Sequence, residues 1–197
     1  MRKEKLEELE NLINKYKTVE VINEHKVDSG FLSIMQADYK LNNGETINRD
    51  YLLKNNKPGN SCNVLPITKE GDVIFVVQPR VQIKRTVGIE IPAGLVEENE
   101  SPLDAVKREF LEETGYTSDN FIHLVKCYQD EGCSQAIVNS YLALDCYKTT
   151  EQKLDDDEFI SIFKCTFDEA QELIEMGYVC GAFSIMTIEM AKKYITR

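Results

Sequence analysis

From Gly94 to Tyr116 the chain reads GLVEENESPLDAVKREFLEETGY. Seven of these 23 residues are acidic, and only Lys107 and Arg108 are basic. Ser101 suits a helix N-cap, Pro102 the first helical position, Asp104 the far corner of a capping box, and Gly115 the left-handed position just past a helix end. On a helix drawn between these signals, at roughly 100° per residue, Glu112 and Glu113 fall within about 60° of Glu109. The carboxylates flank an apolar stripe of Leu103, Val106, Phe110 and Thr114. Three like charges on adjacent turns cost about 0.2–0.5 kcal/mol per pair on an exposed helix. The cost grows near a core, where desolvation disfavours charge. Arg108, on the outer flank, relieves only part of it. Oxygen ligands crowded onto one face suit a hard cation such as Mg²⁺ or Mn²⁺. The plainer alternative is a solvated acidic face. Two features weigh against that alternative: Gly94 lies a short loop ahead of the helix, and Glu100 stands beside the cap, able to join the cluster or hold Arg108.

Elements must be found to position this helix. The chain has 197 residues, 42% hydrophobic and 9% aromatic, which is ordinary globular composition. A net charge of −11 argues against nucleic acid or an anionic membrane as a partner, but not against a phosphate-bearing small molecule reached through metal ions. The six cysteines form no C-x-x-C pair, and His25 and His123 lack neighbouring ligands at zinc spacing. Reduced thiols in a cytoplasmic protein are the expectation, since MRKEKLEELENL is too charged for a secretory signal and no apolar run could span a membrane.

Leu6, Leu9, Ile13 and Tyr16 predict an amphipathic helix over 3–16, packed on its own domain or, as the weaker alternative, against a partner. Strands are expected over 18–27, 30–40 and 45–53, the last two joined by a turn at Asn43-Gly44. KNNKPGN, residues 54–60, is a polar loop that fits a boundary, giving an extension over 1–57 and a main domain over 58–197. Strands then recur at NVLPIT, DVIFVVQPR, VGIEIPAG, 121–128, 136–146 and FISIFKC, with Asp72–Val77 apolar enough to lie inside a sheet. Asp155–Glu158 (DDDE) reads as a solvated loop. Two helices close the chain, one opened by Asp168 and ended by Gly177, the other from about Phe183 to Ile195.

The residues of the acidic helix resemble the Nudix box, G-x5-E-x7-R-E-U-x-E-E-x-G-U with U a bulky apolar residue. Gly94, Glu100, Arg108, Glu109, Phe110, Glu112, Glu113, Gly115 and Tyr116 fill its nine specified positions. IEIPAGLVE and Gln78-Pro79-Arg80 resemble segments of ADP-ribose pyrophosphatases within that family. So do Arg49-Asp50-Tyr51 and CGAFSI, so that the likeness covers most of residues 18–190. The resemblance implies an α+β protein: the Nudix fold, an α/β/α sandwich around a mixed sheet, with a small N-terminal antiparallel β extension that pairs two subunits into a homodimer.

The resemblance also implies an activity. It is Mg²⁺-dependent hydrolysis of the diphosphate linkage in ADP-ribose or a related nucleoside diphosphate sugar, giving a nucleoside monophosphate and a sugar phosphate. GDP-mannose or a dinucleotide as substrate, or nucleotide binding without catalysis, are the alternatives. By position, Glu109, Glu112, Glu113 and the Ala93 carbonyl are the metal ligands, with Glu112 also able to act on water. Arg108 orients a box glutamate, Glu100, Gly94 and Glu90 support, and Arg49 and Arg80 contact substrate. ADP-ribose pyrophosphatases often carry S-P-G-x-S-x-E after the box, its last Glu serving as base. Here that run is Asp130 to Ala136, with Ala136 in place of the Glu, which leaves Glu131 or Asp130 as the nearest replacement.

Overall fold

Strand β4 (Ser61–Thr68) shows how the sequence builds its core. Successive side chains of a strand point to opposite faces. Cys62 and Val64 accordingly join one hydrophobic cluster, while Leu65 and Ile67 join another. β5 (Asp72–Pro79) divides in the same way, Ile74 to the first cluster, Val73 and Phe75 to the second. A strand buried on both faces reads as a continuous apolar run, which is why Asp72–Val77 was legible as interior.

The computed structural model describes residues 18–80, 82–84 and 86–195; the helix expected over 3–16 lies outside them. The chain forms two units. One comprises the chain up to Gly59 together with Tyr128–Ala136, the other Asn60–Cys127 with Ile137 onward. The first holds an antiparallel sheet of β1 (Thr18–Ser29), β2 (Leu32–Leu41) and β3 (Thr46–Lys54), in that order. These are the three expected strands, each moved by one or two residues, and the turn between β2 and β3 closes where Asn43-Gly44 placed it.

The second unit is built on a mixed sheet with the path β11-β5-β4-β10-β8, where β8 is Tyr116–Thr117, β10 is Ile137–Lys148 and β11 is Ser161–Thr166. β10 runs parallel to β4, and the other pairings along this path are antiparallel. β9 (Asn120–Tyr128) pairs β10. The expected strand VGIEIPAG divides at Ile91-Pro92 into β6 (Val87–Glu90), paired with β5, and β7 (Ala93–Leu95), paired with β4.

Among the described residues there are three helices. α1 (Pro102–Thr114) covers the cluster of Cys62, Val64 and Ile74, and α2 (Phe167–Glu175) and α3 (Ala182–Ile195) cover the cluster of Leu65, Val73 and Phe75. α1 begins at Ser101 and ends at Gly115, whose φ of 74° belongs to the left-handed region. Two details differ from the sequence reading. Leu103 is exposed, and Glu113 takes a place on the buried side. Thr166, not Asp168, caps α2, because its hydroxyl and the Glu169 carboxylate complete a capping box two residues earlier.

Candidate functional site

The site is assembled where α1 faces β7. Val106 and Phe110 are wholly buried and fix the rotation of α1 against the sheet. That rotation drives Glu113 inward until only 4% of it is exposed. Its Oε2 accepts the Ala93 N–H at 3.0 Å. One turn earlier, Glu109 lies against Gly94. A Cβ on Gly94 would stand 1.9 Å from the Glu109 carboxyl carbon, so only glycine leaves the carboxylate room. Cys62 pairs with Gly94 across the strands, and burial followed by the charge of Glu109 pushes its thiol up to about 12. It remains a neutral wall of the site.

Arg108 does more than its flank position predicted. It holds Glu100 through Nε and Nη2 at 3.0 and 2.9 Å, Glu109 and Glu112 through Nη1 at 2.9 and 3.2 Å, and the Leu95 carbonyl through Nη2 at 3.1 Å. One guanidinium thus serves three carboxylates. Glu100 is held below the usual carboxylate range chiefly by that contact. Glu109 is nevertheless raised, because desolvation outweighs Arg108. Glu113 is pushed up to about 8, first by burial and then by Glu109 and Glu158, against the Ala93 N–H and the more distant Arg80.

With Arg108 drawing Glu109 and Glu112 and Glu113 turned to Ala93, no three acidic or soft ligands are gathered tightly enough among the described residues to hold an ion. The donor set still fits a hard divalent cation. Among the described residues Glu113 is a buried carboxylate with no cation in hydrogen-bond contact, beside a glycine that opens space at Glu109. Such a group keeps its proton until a cation replaces it.

A pH dependence follows. Glu113 binds its proton more tightly folded, near pH 8, than unfolded, near its ordinary 4.5. Its contribution to stability is therefore full below about pH 4.5 and lost as pH rises through about 8. In EDTA, the protein should be on the order of 3 kcal/mol less stable at pH 8.5 than at pH 5.5, a fall of about 5–10 °C in Tm. Saturating Mg²⁺ should remove most of the difference; thermal denaturation at the two pH values checks this.

Sequence reading missed Glu158. The DDDE loop is exposed, as expected, but it is strapped to the end of α1. Thr149 N–H bonds Gly115 O, Lys153 N–H bonds Glu112 O, and Gln152 Nε2 bonds Glu113 O. The strap brings Glu158 close enough to act electrostatically on Glu109, Glu113 and Arg80. Nothing local in D-D-D-E marks this, because the contacts that strap the loop join residues 34 or more positions apart.

The remaining expected residues fall into two places. Arg80 and Glu90 form a bidentate pair in the second unit. Arg49 and Glu131 lie in the first unit, where both line a cavity of about 310 Å³ with Tyr39 and Tyr51. The loop carrying Glu131 is stitched to β3 by Leu52 N–H on Cys133 O and by Lys54 Nζ on Gln129 Oε1. Ala136 is buried with no exposure.

Comparisons with known proteins bear on the family and the fold. The sequence model of the NUDIX domain matches residues 57–178. The chain is 33% identical over 159 residues to the ADP-ribose pyrophosphatase of Bacillus subtilis (strain 168), covering 80% of this chain and 83% of that protein. It is 29% identical over 170 residues to the methanol dehydrogenase activator of Bacillus methanolicus, covering 85% and 89%. It is 32% identical over 108 residues to a GDP-mannose pyrophosphatase of Yersinia enterocolitica, covering 53% and 55%. The crystal structure of an ADP compounds hydrolase superposes with a TM-score of 0.77 over 92% of this chain and 96% of that one, at 17% identity, a likeness of fold. A box in which every specified position is filled, on a helix that buries one glutamate against Ala93-Gly94, and a family match across most of the chain carry one conclusion: the chain belongs to the NUDIX domain family and is an enzyme, a Nudix pyrophosphatase.

Proposed function

We propose that the protein hydrolyses the diphosphate linkage of ADP-ribose or a related nucleoside diphosphate sugar, releasing a nucleoside monophosphate and a sugar phosphate. The observation that carries this reading is the burial of the Glu113 carboxylate beside Glu109 on one helix face, with Arg108 holding Glu109 and the Ala93 N–H on Glu113. Glu109, Glu112, Glu113 and the Ala93 carbonyl would hold Mg²⁺, or Mn²⁺ in its place. When bound, the ion neutralises diphosphate charge and lowers the pKa of an attacking water. Arg108 keeps Glu109 and Glu112 oriented, and Glu100 anchors Arg108. Arg80 supplies a positive charge for a phosphate. Glu158, on the loop strapped to the end of α1 through Thr149, Gln152 and Lys153, supplies a carboxylate to take the proton of an attacking water. Glu131, expected as base from its place in the loop after the box, is the competing assignment.

The similarity to ADP-ribose pyrophosphatase spans four-fifths of the chain and favours ADP-ribose; the shorter similarity to GDP-mannose pyrophosphatase makes GDP-mannose the second substrate to try. The N-terminal β extension is proposed to pair two copies into a homodimer in the cytoplasm, a state that sedimentation can check.

The test is a panel of nucleoside diphosphate derivatives with Mg²⁺ or Mn²⁺ and chromatography of the products. Turnover of ADP-ribose to AMP and ribose phosphate is expected. Binding without products would favour a nucleotide-binding protein. On the same substrate, Glu112→Gln should lower kcat by about 10² or more with the fold intact. Glu158→Gln should do likewise, while Glu131→Gln should not. A normal rate in the Glu158 variant with a collapsed rate in the Glu131 variant would reverse the assignment of the base.

A further inference from the structure

β5 and β6 run antiparallel, with Gln78 opposite Gly88 and Val76 opposite Glu90. Arg80 leaves the end of β5 and folds back over β6. Its Nε donates to Glu90 Oε1 at 2.9 Å and its Nη2 to Glu90 Oε2 at 2.8 Å. Gly88 lies two residues before Glu90, on the same face of the strand. A Cβ on Gly88 would stand 2.0 Å from Glu90 Oε1 and 2.9 Å from Arg80 Cγ. The backbone at Gly88 is not left-handed, so its conformation does not require glycine. What requires glycine is the ion pair lying over it.

A bidentate carboxylate grips one edge of a guanidinium and fixes its plane. Glu90 takes the Nε–Nη2 edge of Arg80, which leaves the edge carrying Nη1 for a second anion. Arg80 and Glu90 line a cavity of about 280 Å³ with Ile83, Gly88, Ile89 and Cys180. The charge of Arg80 also reaches Glu113 and Glu158.

We propose that Gly88 and Glu90 act together as positioning residues: the missing side chain at 88 makes room for Glu90 to hold Arg80 by one edge, so that the other edge meets a phosphate of the substrate at the cavity. This rests on the diphosphate substrate proposed above. It makes position 88 a determinant of substrate affinity through a side chain that is absent.

The test compares Gly88→Ala, Glu90→Gln and the double variant with the unaltered protein. The alanine is compatible with the backbone but evicts the Glu90 carboxylate; the glutamine keeps the shape and removes the charge. Each single variant should raise KM for ADP-ribose roughly tenfold, the change expected when about 1.4 kcal/mol of binding is lost, with kcat within about threefold. The double variant should be no worse than either single one, because both remove the same interaction. The ¹⁵Nε signal of Arg80 should show hindered guanidinium rotation in the unaltered protein and free rotation in both single variants. Unchanged KM, additive effects, or an Arg80 signal indifferent to both substitutions would overturn the proposal. If the unaltered protein turns over no nucleoside diphosphate derivative, the substrate reading fails by itself. The Arg80 signal then decides whether Gly88 and Glu90 hold that side chain.

Discussion

Glu113→Gln should lower kcat by about 10³ and, at the same time, raise the Tm of the metal-free protein at pH 8.5. The two effects have one cause. Glu113 is 4% exposed, and burial together with Glu109 and Glu158 disfavours its charge. Glutamine has the same shape and keeps an oxygen to accept the Ala93 N–H, so the local fold is preserved. At pH 8.5 it spares the folded state the cost of a buried charge, on the order of 3 kcal/mol. At pH 5.5, where Glu113 is already protonated, the gain should vanish. The lost negative charge is what a divalent cation needs, and removing it should cost as much as the upper end of the loss of one oriented donor, which is about 10²–10³ in rate. Added Mg²⁺ should stabilise the unaltered protein and leave the variant nearly unmoved. Rate and metal response near normal in the variant would remove Glu113 from the ligand set.

Gly94→Ala is the second large effect, expected at 10²–10³ in kcat/KM with a change in Tm under about 3 °C. The added Cβ would stand 1.9 Å from the carboxyl carbon of Glu109 and 2.1 and 2.4 Å from its oxygens. All three of the nearest atoms belong to Glu109, and the backbone at Gly94 is not left-handed. The carboxylate is the far end of a flexible side chain, so it can leave without disturbing β7 or α1. It would leave the place where Arg108 Nη1 holds it at 2.9 Å, and the cation site would lose one of its anchors. A variant that melts far lower would point to strand packing instead. A variant with normal rate would show that Glu109 has no task at that position. Measuring Tm and kcat/KM on one preparation separates these outcomes.

Such contrasts depend on where a side chain sits, and the sequence carried only part of that. The box pattern and the end signals at Ser101 and Gly115 located α1, its caps and the residues of its acidic face, because helix geometry depends on local spacing alone. Strand alternation and the Asn43-Gly44 turn located the three strands of the first unit for the same reason. Spacing could not determine the rotation of α1 against the sheet to the precision that matters. Leu103 was expected inside and Glu113 beside the core; the packing of Val106 and Phe110 exchanged them, and with that exchange came the raised pKa. Arg108 was expected to orient one box glutamate, with Glu100 able to hold it; its long side chain reaches Glu109 and Glu112 together with Glu100, because the loop before α1 folds back beside it. Glu158 and the pair of Arg80 with Glu90 over Gly88 depended wholly on tertiary contacts, a loop strapped to a helix end and two strands brought side by side. The sequence by itself determined on which elements the box residues ride and which of them share one helix face. The tertiary structure alone decided which carboxylate is buried and which cation reaches it, since desolvation and Coulomb interactions depend on distances in space that no local pattern encodes.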